Sequence, residues 1–115
     1  MTTTLYGIPN CDTVKKARAW LAEHGVAYHF HDYKKQGVDA ARLAKWSEQV
    51  GWERLVNRAG TTFRKLPDAD KAVADADAAI ALMVANPSLI KRPVVEYPGG
   101  LLVGYSPEGF AAALG

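Results

Sequence analysis

The chain has 115 residues, 49% hydrophobic and 23% charged, the make-up of one globular domain able to bury a core, which excludes a disordered or low-complexity chain. A formal net charge of +2, with basic residues scattered rather than run together, argues against direct nucleic-acid binding, so any anion must be held by particular arginines. No apolar run reaches the ~18–20 residues that cross a bilayer, Met1-Thr2-Thr3-Thr4 lacks the basic and apolar regions of a signal peptide, and one cysteine cannot form an internal disulfide, so the expected place is the cytoplasm, with no membrane contact.

Leu5 to Ile8 reads as a buried strand, Pro9 and Asn10 as a turn, and the amphipathic pattern that follows as a helix beginning at or just after Cys11. The only thiol therefore lies at a helix N-terminus. There the free N–H groups and the positive end of the macrodipole favour thiolate over thiol, which is how reactive cysteines become nucleophilic near neutral pH. Lys15 and Lys16 add positive charge in the first turn. The competing reading is a small hydrophobe that merely packs.

The helix is expected to run to about His24, with Val14, Ala17 and Leu21 on its apolar side, Lys15, Arg18 and Glu23 facing water, and Gly25 in the position that accepts a left-handed backbone. Ala27 to Asp32 alternates as a second strand, Tyr28 and Phe30 on one face and His29 and His31 on the other. Two histidines alone do not make a metal site, and no cluster of further ligands accompanies them, so no metal is expected. Strand, helix and strand form a βαβ unit, which predicts a parallel pair. In an open α/β sheet the ligand site lies at the carboxyl ends of the strands, where Cys11 falls.

A helix follows over Asp39 to Val50, capped by Asp39 and stopped by Gly51, with Leu43, Trp46 and Val50 turned inward. Trp46, Trp52 and Leu55 read as packing rather than a base-stacking platform, because they fall at helical spacings beside other apolar residues. Asn57 to Lys65 is irregular and carries Arg58, Arg64 and Lys65 around Gly60. Helical stretches are expected at about Asp68 to Ala74 and Asp75 to Ala85, the second ended by Asn86-Pro87, with Met83 as core filler. Leu89 to Tyr97 leads into a strand, Pro98-Gly99-Gly100 turns, Leu101 to Tyr105 returns antiparallel, and Ser106 caps a closing helix from Pro107 to Leu114.

This order, β-α-β, a helical block, then β-β-α, resembles a thioredoxin-like (glutaredoxin-like) α/β fold with a mixed sheet and a helical insertion. More specifically, Leu5 to Leu21, Arg58 to Leu66, Asn86 to Val94 and Gly104-Tyr105-Ser106-Pro107 resemble the arsenate reductase family of the glutaredoxin-coupled type, with its Spx and YffB branches, and the YffB branch most nearly. The resemblance covers nearly the whole chain and implies one domain, residues 1–33 and 87–115 forming the thioredoxin-like core and 34–86 the insertion. It implies that Cys11 is the nucleophile, that Arg92 binds an oxyanion and stabilises the thiolate, and that Pro93 is the proline whose peptide bond is cis opposite the nucleophile. Arg58 falls close to a further family arginine, with Arg64 competing for that role.

The reading that follows is a thiol-dependent reductase acting on a small oxyanion or a disulfide. Glutathione is its co-substrate and glutaredoxin a possible partner, with no bound cofactor. Asn10 and Asp12 flank the nucleophile on the substrate side, and Tyr105 is placed to donate a hydrogen bond there. Arsenate reduction proper is a second reading, weakened because a family histidine is replaced by Gly7 and a third arginine by Tyr105. The third reading is an Spx-like regulator that docks on RNA polymerase. The second cysteine typical of that branch is replaced by Val14, so an internal disulfide switch is excluded.

Overall fold

The computed structural model describes residues 2–115; Met1, part of the N-terminal stretch read above, lies outside the described residues. The chain divides into two compact units, the first running to Gln36 and resuming at Arg92–Gly115, the second formed by Gly37–Lys91.

The first unit is built on a four-stranded sheet of order β2-β1-β3-β4, from β1 (Thr4–Gly7), β2 (His29–Asp32), β3 (Val94–Tyr97) and β4 (Gly100–Val103). β1 and β2 are parallel, while β1–β3 and β3–β4 are antiparallel, so the sheet is mixed. The registers Leu5↔Phe30, Leu5↔Val95 and Val95↔Leu102 align one row of apolar side chains across all four strands. Helix α1 (Asp12–Glu23) lays Val14, Ala17, Trp20 and Leu21 on that row, together with Phe110 of the C-terminal helix, and the cluster is closed to solvent. A helix of this length is marginal by itself in water. Burial worth roughly 1.5–3 kcal/mol for a fully covered large apolar side chain is what holds it. On the opposite face Tyr6 donates to Glu96 Oε1 at 2.7 Å and stacks obliquely on His31, ring centroids 4.7 Å apart.

Gly7, the last residue of β1, lies close under helix α1. A Cβ there would lie 2.8 Å from Val14 Cγ2. The C-terminal end of α1 is as expected, Gly25 taking φ +68° directly after the His24 cap. Arg18 is not turned to water. Its Nε donates to the Tyr28 hydroxyl at 2.9 Å and its guanidinium lies 4.2 Å from the Phe30 ring centroid, because the long side chain reaches back over the aromatic residues near β2.

β2 is shorter than expected, starting at His29, and a single helical turn not anticipated in the sequence, α2 (Tyr33–Gln36), follows it directly. Asp32 forms that turn by accepting from the N–H groups of Lys34 and Lys35 at 3.1 and 3.4 Å. At the other end of the chain Ser106 Oγ accepts from Gly109 N–H at 3.0 Å, opening the helix Pro107–Leu114 at the expected residue.

In the second unit α3 (Ala40–Val50) begins where Asp39 accepts from Arg42 N–H at 2.8 Å, and ends at Gly51, φ +86°. It buries Leu43 and Trp46 against α4 (Trp52–Leu55) and α7 (Ala76–Ala85), the latter capped by Asp75 and contributing Met83. The stretch read as irregular contains a turn of helix, α5 (Thr61–Arg64), and the expected Asp68–Ala74 helix is the single turn α6 (Asp68–Lys71). After the 3-10 turn Pro87–Leu89, a bridge between Val56 and Ile90 and the bond from Lys91 N–H to Leu55 C=O at 2.7 Å close the unit. The closing helix of the chain, Pro107–Leu114, is α8. Among the described residues no helix is long and apolar enough to cross a membrane.

Candidate active site

Strand register gathers three distant segments at one end of the first unit's sheet. Gly7 pairs with Asp32 in parallel, and Tyr6 pairs with Val94 in antiparallel fashion. The segments that follow β1 and β2, and the one that precedes β3, therefore leave the sheet at the same end: Ile8 to Cys11, then Tyr33, then Arg92-Pro93. The Arg92–Pro93 peptide bond is cis, and Pro93 is buried, its C=O accepting from Gly104 N–H at 2.8 Å.

Cys11 is a half-buried free thiol at the N-cap of α1, with extended backbone (φ −101°, ψ 124°), and its C=O accepts the first helical hydrogen bond from Lys15 N–H at 2.9 Å. Burial pushes the thiol pKa up. The N–H groups of Val14 and Thr13 and the charge and hydrogen bonding of Arg92 outweigh it, so the Cys11 thiol lies below its ordinary value. The side chain completes no full capping hydrogen bond, so the two amides act on sulfur mainly as oriented dipoles, and Arg92 adds to them. Lys15 and Lys16 are exposed and are not among the groups that shift the thiol.

Arg92 has a second neighbour that the sequence reading missed. Tyr33, the first residue of α2, is fully buried. Burial drives its hydroxyl pKa far above the ordinary phenol value, the Arg92 guanidinium opposing through charge and a hydrogen bond, and Cys11 and Asp32 adding to the rise. Tyr33 thus stays a neutral phenol that accepts from Arg92, while Cys11 is biased to the anion. The signal that could have found it is positional: an aromatic residue at the carboxyl end of the strand parallel to β1.

The remaining candidates separate. Asn10 is exposed and lines a cavity of about 280 Å³ with Ile8, Pro9, Asp32, Lys34 and Lys35. Asp12 is exposed at the first position of α1. Tyr105 packs edge-on against Phe110, centroids 4.9 Å apart, and lines a groove along α1 with Thr13, Lys16 and Trp20. It is not among the groups that act on the Cys11 sulfur. Arg58 and Arg64 belong to the second unit: the exposed Arg58 guanidinium lies 5.6 Å from the Trp52 ring centroid, and exposed Arg64 closes α5. No group of three or more potential metal ligands occurs among the described residues.

The family model described as the ArsC family matches residues 6–113. A solved structure of a YffB protein is 58% identical, with a TM-score of 0.95, and the match covers 99% of this chain and 100% of that one. A solution structure of an arsenate reductase related protein from Brucella melitensis is 55% identical, TM-score 0.76, covering 98% of this chain and 94% of that one. The global transcriptional regulator Spx of Streptococcus mutans is 30% identical over 114 residues, 96% of this chain and 82% of its own. The mixed four-stranded sheet with its helices is the thioredoxin-like fold that these likenesses share.

Proposed function

The chain belongs to the ArsC family, and on that premise we propose that it is a thiol-dependent reductase whose nucleophile is the Cys11 thiolate. The observation that carries this is the single free thiol at the start of α1, its anion favoured by two backbone N–H groups and by Arg92. With a glutathione mixed disulfide as substrate, the Cys11 thiolate attacks the glutathione sulfur. A bond forms between the two sulfurs, the old disulfide bond breaks, and the substrate leaves as a thiolate that takes a proton from solvent. A second glutathione, as thiolate, then attacks the Cys11-bound sulfur, releasing oxidised glutathione and restoring the Cys11 anion. No second cysteine is available to do this from within the chain.

In this scheme Arg92 stabilises the Cys11 anion before attack and again when it leaves, and its planar fork of donors suits an oxyanion or a carboxylate. The N–H groups at Cys11 and Asp12 face developing negative charge. Pro93 and Tyr105, both in the first unit, shape the contact face. The setting is the cytoplasm, with glutathione and, where needed, glutaredoxin as partners. Arsenate is the weaker substrate. The family's histidine is Gly7 here, and a Cβ at that place would lie 2.8 Å from Val14 Cγ2, so a side chain there is crowded.

The likeness to Spx favours a second reading, a regulator that binds RNA polymerase through its surface without turnover. Glutathione-dependent turnover of a model mixed disulfide that disappears in Cys11→Ser supports the reductase. Full turnover in Cys11→Ser, or no turnover together with capture of the polymerase α subunit, overturns it.

A further inference from the structure

We propose that the cavity beside the nucleophile is a recognition site for the amino-acid head of the resolving thiol, selecting a zwitterionic or carboxylate-bearing thiol over a neutral one. The proposal rests on the reductase reading and deepens it. The cavity of about 280 Å³ is lined by Ile8, Pro9, Asn10, Asp32, Lys34 and Lys35, all within the first unit. Asn10, which lines the cavity, is the residue before Cys11. An extended tripeptide spans at most about 10 Å, at ~3.3–3.6 Å per residue. A cysteine-containing peptide held by its sulfur at Cys11 therefore reaches such a pocket with a terminal group.

The charges in the lining are mixed in a way that fits a zwitterion. Lys34 and Lys35 are exposed, strongly hydrated cations carried next to each other on α2, and they present donors to a carboxylate. Asp32 uses one carboxylate oxygen to hold the N–H groups of Lys34 and Lys35, which fixes both the turn and its own orientation. Its acceptor capacity is not exhausted by that oxygen, so it suits an ammonium group. Asn10 offers both a donor and an acceptor for a peptide unit. Ile8 and Pro9 supply an apolar floor. A neutral thiol such as 2-mercaptoethanol engages none of the charged groups. It would reach Cys11 with only the sulfur recognised.

Two measurements test this together. Resolution of the Cys11–glutathione disulfide is followed with glutathione and with 2-mercaptoethanol, in wild type and in Lys34→Gln/Lys35→Gln. The expected result is a preference for glutathione in wild type that falls about tenfold in the double variant, through KM, with the 2-mercaptoethanol rate unchanged. An unchanged preference in the double variant, or no preference in wild type, overturns the site. The second measurement does not need turnover: S-methylglutathione, which cannot react, is titrated into the wild-type protein while the backbone amide signals of Asn10, Lys34 and Lys35 are followed by NMR. Saturable shifts there, weakened in the double variant, support the site even if no thiol restores Cys11. Absence of such shifts overturns it. A wild type that turns over no mixed disulfide yet binds S-methylglutathione in this way instead overturns the reductase reading alone.

Discussion

Arg92 acts on two neighbours in the same direction, toward the anion, and burial decides the different outcomes. Beside Cys11 it favours the anion, and beside Tyr33 it meets a phenol that burial keeps neutral. Since only the thiolate is alkylated, a lowered pKa means that the rate of iodoacetamide modification rises through a midpoint below that of an ordinary thiol, ~8.5. In Arg92→Gln the midpoint should move upward, because one cationic contribution is lost while the cost of burial stays. An unchanged midpoint would show that the helix N–H groups act alone. Tyr33→Phe removes the acceptor that holds the guanidinium. Hydrogen bonds to charged groups are worth about 1.5–3 kcal/mol. Chemical denaturation should therefore report a loss of that order, and the alkylation midpoint should shift in the same direction as in Arg92→Gln. A stability loss with no shift in midpoint would make Tyr33 a packing residue only.

The junction of β1 and α1 decides whether the sulfur meets the helix amides at all. Gly7 lets Val14 approach the strand end, and Val14 is one of the two residues whose N–H lowers the thiol pKa. Gly7→Ala places a methyl group 2.8 Å from Val14 Cγ2, so the Val14 side chain, or the first turn of α1 that carries it, must shift. A loss of about 1–3 kcal/mol is expected in denaturant unfolding, typical of overpacking, together with slower Cys11 alkylation at pH 7. A more stable variant with unaltered reactivity would contradict this account of the close approach. The caps are the elements most legible in advance. Asp39 and Ser106 were readable because a short polar side chain before an apolar-periodic run satisfies a free N–H by a local bond, as both do here. The single turns α2 and α5 were not, since four residues carry no helical periodicity. Asp39→Ala should lower stability by about 1 kcal/mol, read as a change in denaturation midpoint at constant slope.

For the molecule as a whole, one cysteine in 115 residues limits what the chemistry can do. An adduct formed on Cys11 has no internal thiol to displace it. Incubation with oxidised glutathione should leave one glutathionyl group per chain by intact mass spectrometry, stable to dilution and removed by added glutathione. Cys11→Ser should carry none. A wild-type chain that stays unmodified under conditions where a free cysteine peptide reacts would mean an inert thiol.

The strand-turn-helix setting of Cys11, the C-terminal hairpin and the caps at Asp39 and Ser106 could all be read from the chain, because each depends on residues a few positions apart, and the parallel sense of β1 and β2 followed from the strand-helix-strand order, though not their register. Arg92 entered the site only through the resemblance, and Tyr33 and the lysine-lined cavity beside Asn10 did not enter at all. What joins them to Cys11 is the register of β1 with β2 and β3, which brings three separated segments to one end of a sheet. Local preferences specify a helix start or a turn. The neighbours of a sulfur are set by strand pairing over long sequence separations, and no local pattern encodes that.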